Sequence, residues 1–476
     1  MPIPGEGSTA GLLAGTETTL SPADVYPKIV GEYTAFATYA KGYYGVEQNL
    51  SDEDIDLVVQ GNMEAQLADS AGGEEEKAPG GEGGAGTTIT LGVHNAASAV
   101  AYQLLWRVAK GQVFGANTAV NLVLYDVEAQ ADRVKGVQME IDDCILPSVG
   151  SIRCTSDLKT FAKAQVVVVS CGAVGLRSVE GSDLDDAAVN EMAAIGAALE
   201  KAGGSAKVVV YGQGCNAAAS VIASKAPSVP KRNVTTLTRP DESRAKACVA
   251  AMLSARVDAA DLKINGSDVK NVAVWGGDSD TLTPDTSAAV VLGIGSTDGG
   301  GAARTVVTVL RNPAFVADGP KTRDLEGRLK PEELLGWVRE RDALLQTKRK
   351  GYVPSMLVAK SVADHLENWC RGGAASQYWS SAGVWSEGNS YGAPEGLYFS
   401  FPVSAAEGEL SVVPGIEISR EMRIAINEAG EAQKAKTDAA LEKVGMPATP
   451  AYDPPAPPAP EPTEEEKGDD DGGDGY

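Results

Sequence analysis

Two histidines, His94 and His365, are the only imidazoles in 476 residues, and imidazole is the one side chain whose ordinary pKa lies near neutrality. Proton-transfer chemistry in this chain therefore rests on them or on carboxylates placed to act instead. Three carboxylates stand at informative positions. Asp278 closes the apolar run V-A-V-W-G-G-D within residues 272–285. Asp241 precedes Arg244 by three residues in L-T-R-P-D-E-S-R-A-K, a spacing that puts both on the first turn of one helix. Asp126 follows N-L-V-L-Y, where a carboxylate can accept two ribose hydroxyls or serve as an ordinary turn or cap residue. The six cysteines, Cys144, Cys154, Cys171, Cys215, Cys248 and Cys370, show no C-x-x-C or Cys/His ligand spacing, so no metal site is read. They read as reduced, mostly buried thiols.

The elements that must position these residues are legible from rhythm. I-T-L-G-V, N-L-V-L-Y-D, A-Q-V-V-V-V-S-C and A-K-V-V-V-Y-G are near-continuous β-branched runs between residues 89 and 212, as suits a parallel sheet buried on both faces. Helical stretches Ala99–Ala109 and Leu184–Ala202 fall between them. Strand, helix, strand in this order predicts an α/β doubly wound, Rossmann-type domain over residues 87–235. A mixed α+β domain is predicted over residues 236–445, with helix Glu242–Ala255, strand Lys270–Trp275, an amphipathic segment at 330–350, helix Ser355–Cys370, and strands at Ala382–Ser386 and Leu397–Val403. Gly293–Ala303 reads as a flexible insertion and Pro447–Pro462 as an extended, unpacked proline-rich stretch.

Residues 1–70 form an N-terminal extension, partly helical, with an aromatic stretch from Tyr26 to Tyr44 that packs on itself or on the body, or anchors another protein. Residues 71–86, rich in glycine and glutamate, read as a flexible linker. The net charge of −24 includes eight acidic residues against Lys467 between Glu461 and Tyr476, so residues 446–476 read as a disordered acidic tail. That balance argues against nucleic acid or anionic lipid as main partner and favours solubility or a basic protein partner. No apolar run reaches the roughly 18 residues of a membrane span, and the first ten residues lack a secretory pattern. Cytoplasmic residence is expected.

Several segments, taken in order, resemble cytosolic-type malate dehydrogenases of the lactate/malate dehydrogenase superfamily. They are A-Y-Q-L-L from Ala101, L-Y-D-V from Leu124, M-E-I-D-D-C-I-L-P from Met139, A-S-K-A-P-S-V-P-K from Ala223, the Leu237–Lys246 segment quoted above, and G-N-S-Y-G-A-P-E from Gly388. The resemblance spans roughly Thr87 to Gly430 and implies the two-domain fold of that family. It also implies where the chemistry would be. A family strand ending in W-G-x-H delivers the catalytic base, and the corresponding residue here is Asp278. Two family arginines clamp the substrate carboxylates, and those positions are Gly175 and Gly181, with Arg177 nearby in altered register. Asp241 and Arg244 match the family residues that orient the base and bind a substrate carboxylate. The family's G-x-x-G turn at the pyrophosphate becomes H-N-A-A-S-A, with Asn95 and Ser98 in place of glycines. Asn95 can take the left-handed conformation, whereas the Ser98 side chain would crowd the phosphates. His94 reads as a packing or surface residue. Asn216 survives from the family's G-N-P-A-N, here G-Q-G-C-N.

Base, clamp and phosphate loop thus depart together. Asp278 could accept a proton in principle, but an anion there repels a dicarboxylate substrate. With Asp241 opposite, the expected role of Arg244 is structural counter-ion to both carboxylates. The sequence predicts a catalytically inactive malate dehydrogenase-like protein that serves as a structural or interaction component of a larger assembly, with no cofactor expected and NAD the candidate if one is held. Family resemblance supplies cilia and flagella as a placement and a homodimer as an assembly, unless the added segments occupy the pairing face. Two readings stay open beside it: an NAD-dependent oxidoreductase with altered substrate, and a nucleotide-sensing module using Asp126.

Overall fold

In the computed structural model the chain divides into two compact units, Met1–Gly83 and Gly84–Tyr476. The structure describes residues 88–171, 184–256, 265–277, 282–295, 303–308, 331–350, 355–371 and 378–459, all in the second unit. The expected N-terminal extension and linker lie outside the described residues, as does the tail beyond residue 459.

The first half alternates as its apolar runs demand. Strands β1 (Thr88–His94), β2 (Ala119–Tyr125), β3 (Val149–Thr155), β4 (Val166–Cys171), β5 (Lys207–Gly212) and β6 (Val234–Thr236) are joined by helices α1 (Ala99–Ala109), α2 (Ala131–Asp143), α3 (Leu158–Phe161), α4 (Asp186–Ala202) and α5 (Cys215–Lys225). They pair in parallel in the order β3-β2-β1-β4-β5-β6. Every residue of β4 is buried, which explains its unbroken valine run: helices cover both faces. One face packs Leu91, Val93, Val168 and Val209 under α1. The other packs Val167, Val169, Val208 and Val210 under α4 and α5. The strand order reverses between β1 and β4, and this switch point is where doubly wound sheets bind ligands.

The second half comprises α6 (Arg239–Arg256), β7 (Val269–Lys270), β8 (Ala273–Gly276), β9 (Leu282–Asp285), β10 (Val290–Gly295), β11 (Ala303–Thr308), α7 (Pro331–Lys348), α8 (Ser355–Arg371), β12 (Ser380–Trp385), β13 (Tyr398–Ala406), β14 (Glu409–Val412) and α9 (Arg420–Lys443). Its strands β12, β13, β8 and β9 continue the parallel sheet beyond β6 through antiparallel pairs, while β11, β10 and β7 form a separate small sheet. The junction is Gly383 opposite Thr236. A Cβ at Gly383 would overlap Thr236 Oγ1 and stand 2.8 Å from Asn216 Oδ1, so the crossing requires glycine. Helix α8 returns to the first half and lays Val358, Val362, Leu366 and Trp369 against the α1 face. Each such side chain contributes about 1.5–3 kcal/mol by burial.

Four departures from the sequence reading have physical causes. Helix α6 begins at Arg239 rather than Glu242, because proline is tolerated in a first helical turn and Pro240 need not precede the helix. The expected strand at Lys270–Trp275 is two, β7 and β8, broken at Asn271 with φ of 57°. The Gly293–Ala303 insertion is bounded by strand: Gly293 pairs Thr305 and Gly295 pairs Ala303 in a hairpin. The described part of the proline-rich stretch, residues 447–459, has no regular secondary structure, but it is packed rather than free. Side-chain hydrogen bonds to its carbonyls hold it, a signal that composition does not carry.

Candidate functional site at the sheet switch point

Strand β1 delivers its last residue, His94, into the interior rather than into a crevice. The ring is fully buried, stacked on Tyr125 at 5.3 Å, with Nδ1 3.1 Å from Ser170 O and Nε2 3.2 Å from Glu191 Oε1. Asn95 follows with φ of 54°, the left-handed turn that asparagine tolerates. Ser98 then caps α1, its hydroxyl accepting from Ala101 N at 3.2 Å.

The loop's other amides are also engaged. Ala96 N–H donates to Tyr125 O at 3.1 Å and Ser98 N–H to Asn95 O at 2.9 Å, while Ala97 N–H donates to Asp126 Oδ2 at 3.0 Å. Asp126 Oδ1 accepts from Val127 N at 2.9 Å. Beneath the loop, buried Tyr211 places its hydroxyl beside those of Ser170 and Ser98, and burial pushes its pKa up to about 12.

These contacts test whether a dinucleotide fits. The ribose end does: each Asp126 oxygen keeps a lone pair for a hydroxyl. The phosphate end is narrower: the amides of Ala96, Ala97, Ser98 and Ala101 already have acceptors, and the Ser98 hydroxyl stands at the helix N-terminus, where a pyrophosphate needs open donors. Asn216, in the first turn of α5, is buried and accepts at Oδ1 from Thr236 Oγ1. Its carbonyl is thereby aimed at the β6–β12 crossing.

The second cluster sits on the first turn of α6. Asp241 and Arg244 are both buried, and Arg244 Nη1 donates to Asp241 Oδ1 at 2.7 Å. Gly276 ends β8 opposite Ser400. Asp278, two residues on, lies outside the described residues, as do Gly175, Arg177 and Gly181. The expected Arg244–Asp278 contact and the clamp positions are therefore not part of the described structure.

What the sequence reading missed is the polar lattice around that turn. Glu242 Oε2 accepts from Ser381 N at 2.6 Å, and Glu242 also pairs with Lys246. Ser381 Oγ accepts from Val274 N at 2.9 Å, and Ser400 Oγ donates to Val274 O at 2.7 Å. Arg239 Nη2 donates to Ser380 Oγ at 2.6 Å, and burial lowers its guanidinium's pKa. These bonds pin α6 to β12, and β8 to β12 and β13. The charged run R-P-D-E-S-R-A-K, with three further ionisable residues around a pair already singled out, was the available signal. Among the described residues no group of three His, Cys, Asp or Glu side chains could hold a metal ion. Of the cysteines, Cys171, Cys215 and Cys248 are buried, Cys154 and Cys370 half-buried, and Cys144 exposed.

His365, the second imidazole, is buried in α8, with Nε2 2.9 Å from Thr235 Oγ1. Burial, reinforced by Arg239 and Lys207, lowers its pKa from 6.5 to about 3. Its folded form is neutral down to that pH, whereas the unfolded chain takes up the proton from pH 6.5 downward. Stability is thus intact above pH 6.5 and lost as pH falls from 6.5 toward 3, at about 1.4 kcal/mol per pH unit from this residue. Urea midpoints measured across that window should show the slope, and His365→Gln should flatten it. An unchanged slope in the variant would assign the pH dependence elsewhere.

Family models match both halves: the lactate/malate dehydrogenase NAD binding domain over residues 90–235, and the lactate/malate dehydrogenase alpha/beta C-terminal domain over residues 331–444. The chain is 32% identical over 357 residues to probable malate dehydrogenase 3 of Dictyostelium discoideum, covering 74% of this chain and 97% of that protein. The chain belongs to the lactate/malate dehydrogenase family. Cytoplasmic malate dehydrogenase of Gallus gallus is 34% identical over 336 residues, covering 70% of this chain and 91% of the relative. Among solved structures, malate dehydrogenase from Naegleria fowleri superposes with a TM-score of 0.62 at 24% identity, covering 75% of this chain and all of the other. A Trichomonas vaginalis lactate dehydrogenase in complex with NADH and oxamate gives 0.62 at 23% identity, covering 75% and 99%. These structural likenesses show the fold. The departures at individual positions matter because they occur inside a family whose architecture is otherwise retained.

Proposed function

We propose that this chain is a lactate/malate dehydrogenase-fold protein without dehydrogenase activity, serving as a structural component of a larger protein assembly. One observation supports this reading above the rest: both histidines of the chain are buried and hydrogen-bonded inside the body, His94 to Ser170 and Glu191 and His365 to Thr235. Neither imidazole stands beside Asp241 and Arg244, and the matching base position in sequence is Asp278. The clamp positions, Gly175 and Gly181, bring no guanidinium to a substrate carboxylate. What is kept builds strands, helices and their junction.

The ciliary or flagellar placement belongs to the same proposal and rests on family resemblance. The test is the native state: a detergent-free extract of the source cells, cross-linked and sized, should carry the chain in complexes with other proteins well above twice its own mass. Recovery only as a free monomer or homodimer would overturn the assembly role. A nucleotide-sensing role is the second reading, favoured by Asp126 and its remaining lone pairs at the ribose position.

A further inference from the structure

Residues 447–459 follow α9 and fold back along it instead of leaving the body. Thr449 is their first fixed point. Its N–H and its hydroxyl each donate to Asp438 Oδ1 at 2.7 Å. Lys434 Nζ donates to Asp438 Oδ2 at 2.6 Å, to Thr449 Oγ1 at 2.8 Å and to Thr449 O at 3.1 Å. Further along, Tyr452 OH donates to Gly392 O at 3.1 Å, Asn427 Nδ2 to Pro455 O at 2.8 Å, and the Arg420 guanidinium to Pro458 O.

The two bonded proline carbonyls are three residues apart, the repeat of a polyproline II helix. Exposure follows the same repeat: Pro454 and Pro457 are half-buried, while Pro455, Ala456, Pro458 and Ala459 are exposed. The body has a seat for this strap. A Cβ on Gly392 would overlap the Pro455 ring, and one on Gly396 would stand 2.6 Å from Pro450 Cδ.

We propose that Thr449 is a phosphorylation site for a proline-directed serine/threonine kinase, and that its phosphorylation undocks the strap formed by residues 447–459. The chain has three Ser/Thr-Pro pairs: Ser21-Pro22, Thr283-Pro284 and Thr449-Pro450. Thr283 is paired with Trp275 inside the β8–β9 ladder, where a kinase cannot take it in extended form. Ser21 lies outside the described residues. Thr449 is half-buried in a segment already extended and held by a handful of polar contacts, the kind of element that opens locally without global unfolding.

In the open state Thr449 Oγ1 attacks the γ-phosphorus of ATP. The Oγ1–P bond forms, the bond from that phosphorus to the bridging oxygen breaks, ADP leaves, and the hydroxyl proton passes to the kinase's base. The product cannot return to its seat. It has lost the O–H that bonds Asp438 and carries about −2 charge toward the Asp438 carboxylate. Burial works to raise the pKa of that carboxyl, but hydrogen bonds from Lys434 and Thr449 outweigh it and hold the group below its ordinary value. Lys434 then offers one positive charge to two anionic groups, so the undocked population rises at the expense of the docked one.

Full-length protein should be incubated with ATP and a proline-directed kinase that phosphorylates a free peptide spanning residues 445–454, the sites mapped by mass spectrometry and amide hydrogen exchange compared before and after. Phosphate is expected at Thr449 and absent from Thr283. Exchange of the Thr449 amide, which donates to Asp438 in the docked strap, should quicken by about tenfold or more, the equivalent of losing one hydrogen bond to a charged group. In Asp438→Asn the repulsion is removed, so phosphorylation should change exchange far less. No phosphate at Thr449 while the peptide reacts, or unchanged exchange in the phosphorylated protein, would overturn the proposal.

Discussion

Purified full-length protein given NADH and oxaloacetate is expected to oxidise the nucleotide about 10⁴-fold or more slowly than a family enzyme with the W-G-x-H histidine, since removing one member of an acid–base unit costs that much. Under the proposed function three deficits would act together. Family resemblance puts Asp278 at the base position and Gly175 and Gly181 at the clamp positions, and in the phosphate loop the amides of Ala96, Ala97 and Ser98 donate to Tyr125, Asp126 and Asn95. Losing one preorganised electrostatic partner alone costs about 3–4 kcal/mol of transition-state stabilisation. The buried histidines offer no rescue, because moving either ring to the α6 turn would mean extracting it from the core. Steady-state NADH absorbance checks this, and turnover within about two orders of magnitude of ordinary family rates would sink the reading of inactivity. The same preparation titrated calorimetrically with NADH should evolve no binding heat. A saturable isotherm would instead favour the nucleotide-sensing role through Asp126.

Replacing Arg244 with methionine should destabilise the fold by about 3–5 kcal/mol, because it removes the guanidinium that pairs with the buried Asp241 carboxylate. The pair is well enclosed: Arg244 is 6% exposed and Asp241 7%, with a 2.7 Å hydrogen bond between them. Removing both charges, as in Asp241→Leu with Arg244→Met, should recover most of that loss, since isosteric apolar pairs in such sites are often neutral or stabilising. Urea denaturation with an unchanged m-value measures the effect as a shift of midpoint. A family arginine reserved for a substrate carboxylate would behave differently, losing activity while stability stayed nearly level. If Arg244→Met shifts stability by less than about 1 kcal/mol, the range of an exposed ion pair, the structural role is wrong.

The parallel half of the sheet was legible because central strands between two helical layers need apolar residues at every position, and β4 and β5 supply them. Helix α1 was legible to the residue, Ala99–Ala109, since an amphipathic stripe and a serine cap both act locally. Asp241 and Arg244 were legible as a pair for the same reason: three residues apart on a helix is a local fact. The partners of buried polar groups were not. Glu191 meets His94 across 97 positions, and Ser381 meets Glu242 across 139. No periodicity encodes such pairings, because they form only when distant strands converge. The seat of the strap was hidden similarly. Proline content announces an extended backbone, but its anchors Asn427, Arg420 and Asp438 belong to a helix whose own pattern explains itself without them.

Enzymes built from two lobes commonly work by hinging, and a hinge needs a joint that few hydrogen bonds cross. Here β6, from the first half, and β12, from the second, are adjacent strands of one eleven-stranded sheet, and Gly383 brings their backbones close enough for Thr236 to sit against it. Helix α8 rivets the joint from one side by packing on α1. The strands of the two halves pair at one position, Gly383 opposite Thr236, so relative movement of the halves is limited by the α8–α1 packing as much as by the sheet.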